Sequence, residues 1–111
     1  MCGICGILNL DGKDIDNDVL IAMNNSMLKR GPDDSGVYTN RNIGIAMRRL
    51  SIIDLAGGQQ PISNEDGNIH LIMNGEIYNY IELREDLQKK GHAFKTGSDV
   101  EVLGHLYEDY G

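Results

Sequence analysis

The chain has 111 residues, 41% of them hydrophobic and 24% charged, a composition that fits one globular unit with a modest core and excludes a disordered tail. Its net charge is −7, and basic residues gather only in short pairs such as Arg48-Arg49 and Lys89-Lys90, which argues against a nucleic-acid partner and favours small-molecule chemistry. No apolar run approaches the ~20 residues of a membrane span, and the N-terminus lacks the basic and apolar regions of a signal peptide, so no membrane association and a cytoplasmic location are expected.

In chain order, Ile4 to Leu10 reads as a strand ended by an Asp11-Gly12 turn. Leu20, Met23, Met27 and Leu28 have helical spacing and predict a helix from about Val19 to Lys29, its methionines belonging to the core. Arg30 to Gly36 is rich in turn formers and reads as a loop. Strands follow over Val37 to Thr39 and Ile43 to Arg49, then a loop from Asp54 to Pro61. Asp66-Gly67 reads as a turn, Asn68 to Met73 as a strand, and Asn74-Gly75 as a bend at its end. Asn79 with Glu82 has capping-box spacing and opens a helix through Leu83 and Leu87 that Gly91 ends. Ala93 to Thr96 reads as a short strand. Ser98 with Glu101 is a second capping-box pattern, opening a helix through Val102, Leu103, Leu106 and Tyr107. The order predicts a mixed α/β fold. Strands outnumber what the helices can cover, so some sheet surface is expected to lack a partner, which favours self-association into a homo-oligomer and suggests a piece of something larger.

Cys2 is the first candidate for chemistry. Removal of Met1 would leave a thiol and a free α-amine on one residue, with unperturbed pKa values of about 8.5 and about 7.7–8.0, so that the nucleophile carries its own base. A second-position cysteine can equally be an accident of sequence. Cys2 and Cys5 would close too small a loop for a structural disulfide, and no second Cys or His pair at zinc-like spacing follows them, so no metal is assigned. Asp14, Asp16 and Asp18 begin like a calcium loop, but Val19 and Asn25 occupy its glycine and glutamate positions. At Asn74-Gly75, a side-chain amide beside exposed backbone N–H groups can form an oxyanion hole, while a plain turn is the simpler reading. Arg49 offers a planar fork to a carboxylate and Asp99 an acceptor to an ammonium group; each also reads as an ordinary surface or capping charge. Asp54 reads as a loop-holding residue.

Six ordered blocks then carry a resemblance: Met1-Cys2-Gly3-Ile4-Cys5-Gly6, Arg30 to Gly36, Arg49 to Asp54, Gln60-Pro61, Asn74 to Asn79, and Thr96 to Glu101. Together they resemble the start of glutamine-hydrolysing asparagine synthases, the class II glutamine amidotransferase domain. The resemblance implies the N-terminal portion of an N-terminal-nucleophile hydrolase, an α/β (α+β) fold built as an αββα sandwich. It implies Cys2 as nucleophile with its α-amine as base, and Asn74 and Gly75 as the oxyanion hole. Arg49 would bind the α-carboxylate of L-glutamine, Asp99 its α-amine, and Glu76 would lie beside it, with backbone atoms of Leu50, Ser51, Ile52 and Ile53 lining the pocket. The family's glutaminase domain continues beyond Gly111, and its ATP- and magnesium-using synthetase domain is absent here; that domain, or a partner, would supply the ammonia acceptor, while no cofactor is expected within this chain. Met47 stands where the family usually has His. His70, His92 and His105 are read as structural. A glutamine- or partner-binding fragment without turnover, an amidotransferase serving another acceptor, and a cysteine hydrolase using a His remain as alternatives.

Overall fold

Each ladder of the first sheet is set by alternation along its strands. The computed structural model describes residues 2–50 and 59–111, and in it β1 (Gly3–Leu8), β2 (Asp34–Asn40) and β3 (Ile43–Arg49) form an antiparallel sheet in the order β1-β3-β2. The turn-rich segment expected to run as a loop to Gly36 enters the sheet at Asp34, because Asp34 pairs with Arg49 and Gly36 with Met47 along an apolar central strand. Pairing with that strand outweighs local turn preference.

Helix α1 (Asn17–Ser26) starts where the Asp16 carboxylate accepts the Asp18 N–H at 2.9 Å. It begins and ends earlier than its apolar spacing predicts: Met27 to Arg30 leave the helix in successive turns, and Leu28 is exposed. Leu20 is fully buried against β3. A Cβ at Gly44 would lie 2.4 Å from Ile15 and 2.7 Å from Leu20, so a glycine there lets the helix approach the strand. Arg48 projects to the same side and donates from Nε to the Asn24 carbonyl at 3.2 Å.

The second sheet is a short pair, β4 (Ile62–Ser63) with β5 (His70–Leu71). The strand expected over residues 68–73 contracts to two residues, because the buried Asn64 side chain accepts the Asn68 and Ile69 N–H groups, each at 3.0 Å. The strand expected over residues 93–96 is absent for a similar reason. Ala93 donates its N–H to Glu65, and Lys95 and Thr96 donate theirs to Glu101, so side chains take the donors a ladder would need. Helix α2 (Tyr80–Lys89) ends at Gly91 as expected, with φ 96° there, and packs through Leu87 on α3 (Glu101–Tyr110). Neither capping box forms. Asn79 makes no side-chain cap bond, and the N-cap position of α3 falls on Val100, which makes none either.

The two sheets meet where Tyr38 stacks on His70, ring centroids 3.6 Å apart, and where Gly36 lies against the Gln60 carbonyl. With α1 on the outer face of the first sheet and α3 against β4 and β5, the layers run helix, sheet, sheet, helix, as the αββα reading anticipates. Met47 is buried on the inter-sheet face, but Ile4, Leu8 and Ile43 remain 46%, 58% and 41% exposed there, the uncovered sheet surface expected from the sequence. None of the described helices is long and apolar enough to cross a membrane.

Candidate active site

Strand parity brings the first two candidate groups together. Gly3 pairs with Arg48, so the same register continued by one residue sets Cys2 opposite Arg49. Both then face away from α1, toward the second sheet. Cys5 has the opposite parity and faces α1; it is half-buried, and burial raises its thiol pKa above the ordinary value. Both cysteines are free thiols.

The opposite wall is the bend Asn74-Gly75-Glu76, held from both ends. On one side the buried Gln60 side chain accepts the Met73 N–H through Oε1 at 2.6 Å. On the other, Asp99 accepts the Ile77 N–H through Oδ2 at 2.7 Å. The three residues between are exposed, presenting an amide, a backbone N–H and a carboxylate. Asp99 sits just before α3 instead of in its first turn, which leaves its carboxylate available to the bend.

That loop is anchored by Glu101. Its carboxylate, 2% exposed, accepts the Lys95 N–H at 2.6 Å, the Thr96 N–H at 2.8 Å and the Thr96 hydroxyl at 2.5 Å. Burial alone would raise its pKa, but the Thr96 and Lys95 donors and the His105 ring outweigh burial and hold it below the usual carboxylate range. Ser98 Oγ accepts the Val100 N–H at 3.3 Å, which completes the turn into α3.

Cys2, Arg49, Leu50, Asn74, Gly75, Glu76 and Asp99 line one cavity of about 350 Å³, within the usual size range for small-ligand sites. These residues are far apart in the chain. Ser51, Ile52 and Ile53, expected to line the same site, and Asp54 lie outside the described residues. Gln60, Met73, Ser98 and Val100 also line it and carried no assigned role in the sequence. Gln60 stands in a recognised block, but its contact with Met73, thirteen residues on, has no local signature. His70 stacks on Tyr38, while His92 and His105 belong to a separate cluster with Glu65 and Glu108, so none of the three lines this cavity. A larger groove of about 520 Å³ between β5 and α3 is mostly apolar and is lined by neither cysteine.

A thiol opposite an amide and a backbone N–H is suited to acyl transfer, and a guanidinium with carboxylates is suited to gripping an amino acid. The sequence matches the glutamine amidotransferase domain family over residues 1–111. It is 48% identical over 114 residues to asparagine synthetase (glutamine-hydrolyzing) 2 of Bacillus subtilis (strain 168), covering 100% of this chain and 15% of that protein. It is also 48% identical over 113 residues to asparagine synthetase (glutamine-hydrolyzing) 1 of the same organism, covering 99% and 18%. Against asparagine synthetase (glutamine-hydrolyzing) 1 of Arabidopsis thaliana it is 46% identical over 112 residues, covering 100% and 19%. The chain thus spans less than a fifth of the length of each of these relatives. On a match that runs its whole length, this chain belongs to the glutamine amidotransferase domain family.

Proposed function

We propose that the cavity hydrolyses the side-chain amide of L-glutamine to glutamate and ammonia. With Met1 removed, the α-amine of Cys2 takes the thiol proton as the sulfur attacks the amide carbon. The developing oxyanion accepts hydrogen bonds from the Asn74 side-chain amide and the Gly75 N–H. Collapse of the tetrahedral intermediate breaks the C–N bond, the proton passes to the leaving ammonia, and a Cys2 thioester remains. Water then attacks the thioester, releasing glutamate and restoring the thiol. Arg49 binds the substrate's α-carboxylate, Asp99 its α-ammonium, and Glu76 lies beside both. Leu50 lines the same wall; the pocket-lining role that the resemblance implies for Ser51, Ile52 and Ile53 falls outside the described residues.

The observation that carries this reading is the convergence of Cys2, Arg49, Asn74, Gly75 and Asp99 on one cavity from four separate stretches of chain. The names of the relatives support asparagine as the eventual product; the ammonia would pass to the ATP- and magnesium-using synthetase region that the family resemblance implies. No residue described here is assigned to ATP or magnesium.

The test is glutamine turnover followed by glutamate and ammonia release together. Equal amounts of both are expected, with none from Cys2→Ala and a rate about 10²–10³-fold lower from Asn74→Ala, the usual effect of losing one oxyanion donor. Turnover that survives Cys2→Ala would refute the mechanism. Saturable glutamine binding without turnover in the processed chain would identify a binding module instead.

A further inference from the structure

Away from the cavity, two histidines and two carboxylates converge from three parts of the chain. Glu65 lies in the turn between β4 and β5, His92 follows α2, and His105 and Glu108 stand one turn apart on α3. His92 Nδ1 and His105 Nδ1 are 3.1 Å apart. Glu65 Oε1 is 3.3 Å from His105 Nδ1 and 3.9 Å from His92 Nδ1. Glu108 oxygens lie 3.6 Å from His92 Nδ1 and 3.7 Å from His105 Nδ1. A tetrahedral ion with N and O ligands at about 2.0–2.2 Å sets neighbouring ligand atoms about 3.3–3.6 Å apart; the four ligand atoms here all lie within 4.8 Å of one another, so small side-chain rotations bring them onto its corners.

The outer nitrogens point the same way. His92 Nε2 is 3.0 Å from Asp109 Oδ1, and His105 Nε2 is 3.6 Å from Glu101 Oε1. A ligand imidazole typically turns its remaining N–H to a carboxylate, which frees the other nitrogen for the ion. Without an ion, two neutral rings satisfy this arrangement poorly. If His92 donates from Nε2 to Asp109, its Nδ1 is a lone pair and His105 must donate from Nδ1. His105 Nε2 then turns a lone pair toward the Glu101 carboxylate, and this fully buried nitrogen has no hydrogen-bond partner. An ion on both Nδ1 atoms lets both Nε2 atoms carry hydrogen. The carboxylates are also prepared: Asn64 donates to Glu108 Oε1 at 3.0 Å and Ala93 to Glu65 Oε1 at 3.0 Å, fixing both.

We infer that Glu65, His92, His105 and Glu108 form a four-ligand site for a divalent transition-metal ion of the zinc type. Two imidazoles with two carboxylates suit zinc or its first-row neighbours over magnesium or calcium. Four protein ligands make a closed, structural centre. It ties α3 to the β4–β5 turn and to the segment after α2. The sequence hid it because only His105 and Glu108 stand close together in the chain, while Glu65 and His92 come from two other segments.

The test titrates metal-stripped, full-length chain with Zn²⁺ against a chromophoric chelator, with Co²⁺ as a spectroscopic substitute. One ion per chain is expected, with the intense visible bands of tetrahedral cobalt and no thiolate charge-transfer band. His92→Gln and Glu108→Gln, each checked for an unchanged circular dichroism spectrum, should each weaken Zn²⁺ binding at least 10-fold, the scale of losing one ligand, while excess Mg²⁺ should not compete. No saturable binding would overturn the site and leave a shared proton between the rings. Binding unchanged in both variants, or a cobalt spectrum with thiolate character, would overturn it by moving the ion elsewhere.

Discussion

Asp99 has two tasks in this account, and they are separable. Its Oδ2 accepts the Ile77 N–H, and a carboxylate has about four lone-pair positions, which leaves capacity for a substrate ammonium. In Asp99→Asn, the side-chain carbonyl can still accept from Ile77, but the charge that pairs with the substrate is gone. The ammonium lies away from the scissile amide, so it is gripped equally in ground and transition states. KM for glutamine is therefore expected to rise about 10- to 100-fold, the equivalent of a charge-assisted hydrogen bond, with kcat little changed. Steady-state kinetics checks this, and a fall in kcat with unchanged KM would show that Asp99 acts only by holding the bend. Cys2 and Arg49 were legible as residue types, but only the family resemblance, and nothing local to either residue, implied their meeting. It follows from β-strand register, which the sequence implies only once β1 and β3 are known to pair antiparallel.

At the scale of elements, local pattern decides the structure except where distant side chains capture backbone N–H groups. Strands β1 and β3 and the three helices were legible because alternation and helical spacing are local signals. The strand expected over residues 93–96 failed because Glu65 and Glu101 bind its donors, and nothing within those four residues announces that. Each oxygen of Glu101 accepts a backbone N–H, from Lys95 on Oε1 and from Thr96 on Oε2, so Glu101→Gln would set its NH₂ group against one of these fixed donors. A loss of about 2–3 kcal/mol is expected, read as a lower urea midpoint at unchanged m-value. The same logic makes Gln60 a positioning residue. Gln60→Leu keeps the volume but leaves the Met73 N–H unsatisfied beside the oxyanion bend. Its expected signature is a kcat lowered about 10-fold or more with KM nearly unchanged, as for a donor placed poorly in the transition state. A KM effect alone would contradict that role.

For the whole molecule, the order helix, sheet, sheet, helix puts the cavity where the end of one sheet meets loops attached to the other. Cys2 comes from the lead-in to β1, Arg49 from the end of β3, and the remaining groups from the bend after β5 and the entrance to α3. This separation suits a nucleophile held on a rigid strand and an oxyanion bend pinned at both ends by hydrogen bonds. The global arrangement was legible through ordered motif blocks, whereas the segment at residues 51–54 lies outside what the structure describes. That Cys2 with a free α-amine is the nucleophile of a glutamine site formed within this chain has a direct test. It is the intact mass of the purified chain before and after an electrophilic glutamine analogue, with the modified residue mapped by fragmentation. Loss of Met1 and a single adduct on Cys2, blocked by excess glutamine, are expected, with Cys5 untouched because it faces α1, away from the cavity, and burial raises its thiol pKa. A retained Met1, an adduct on Cys5, or labelling that glutamine does not block would contradict it.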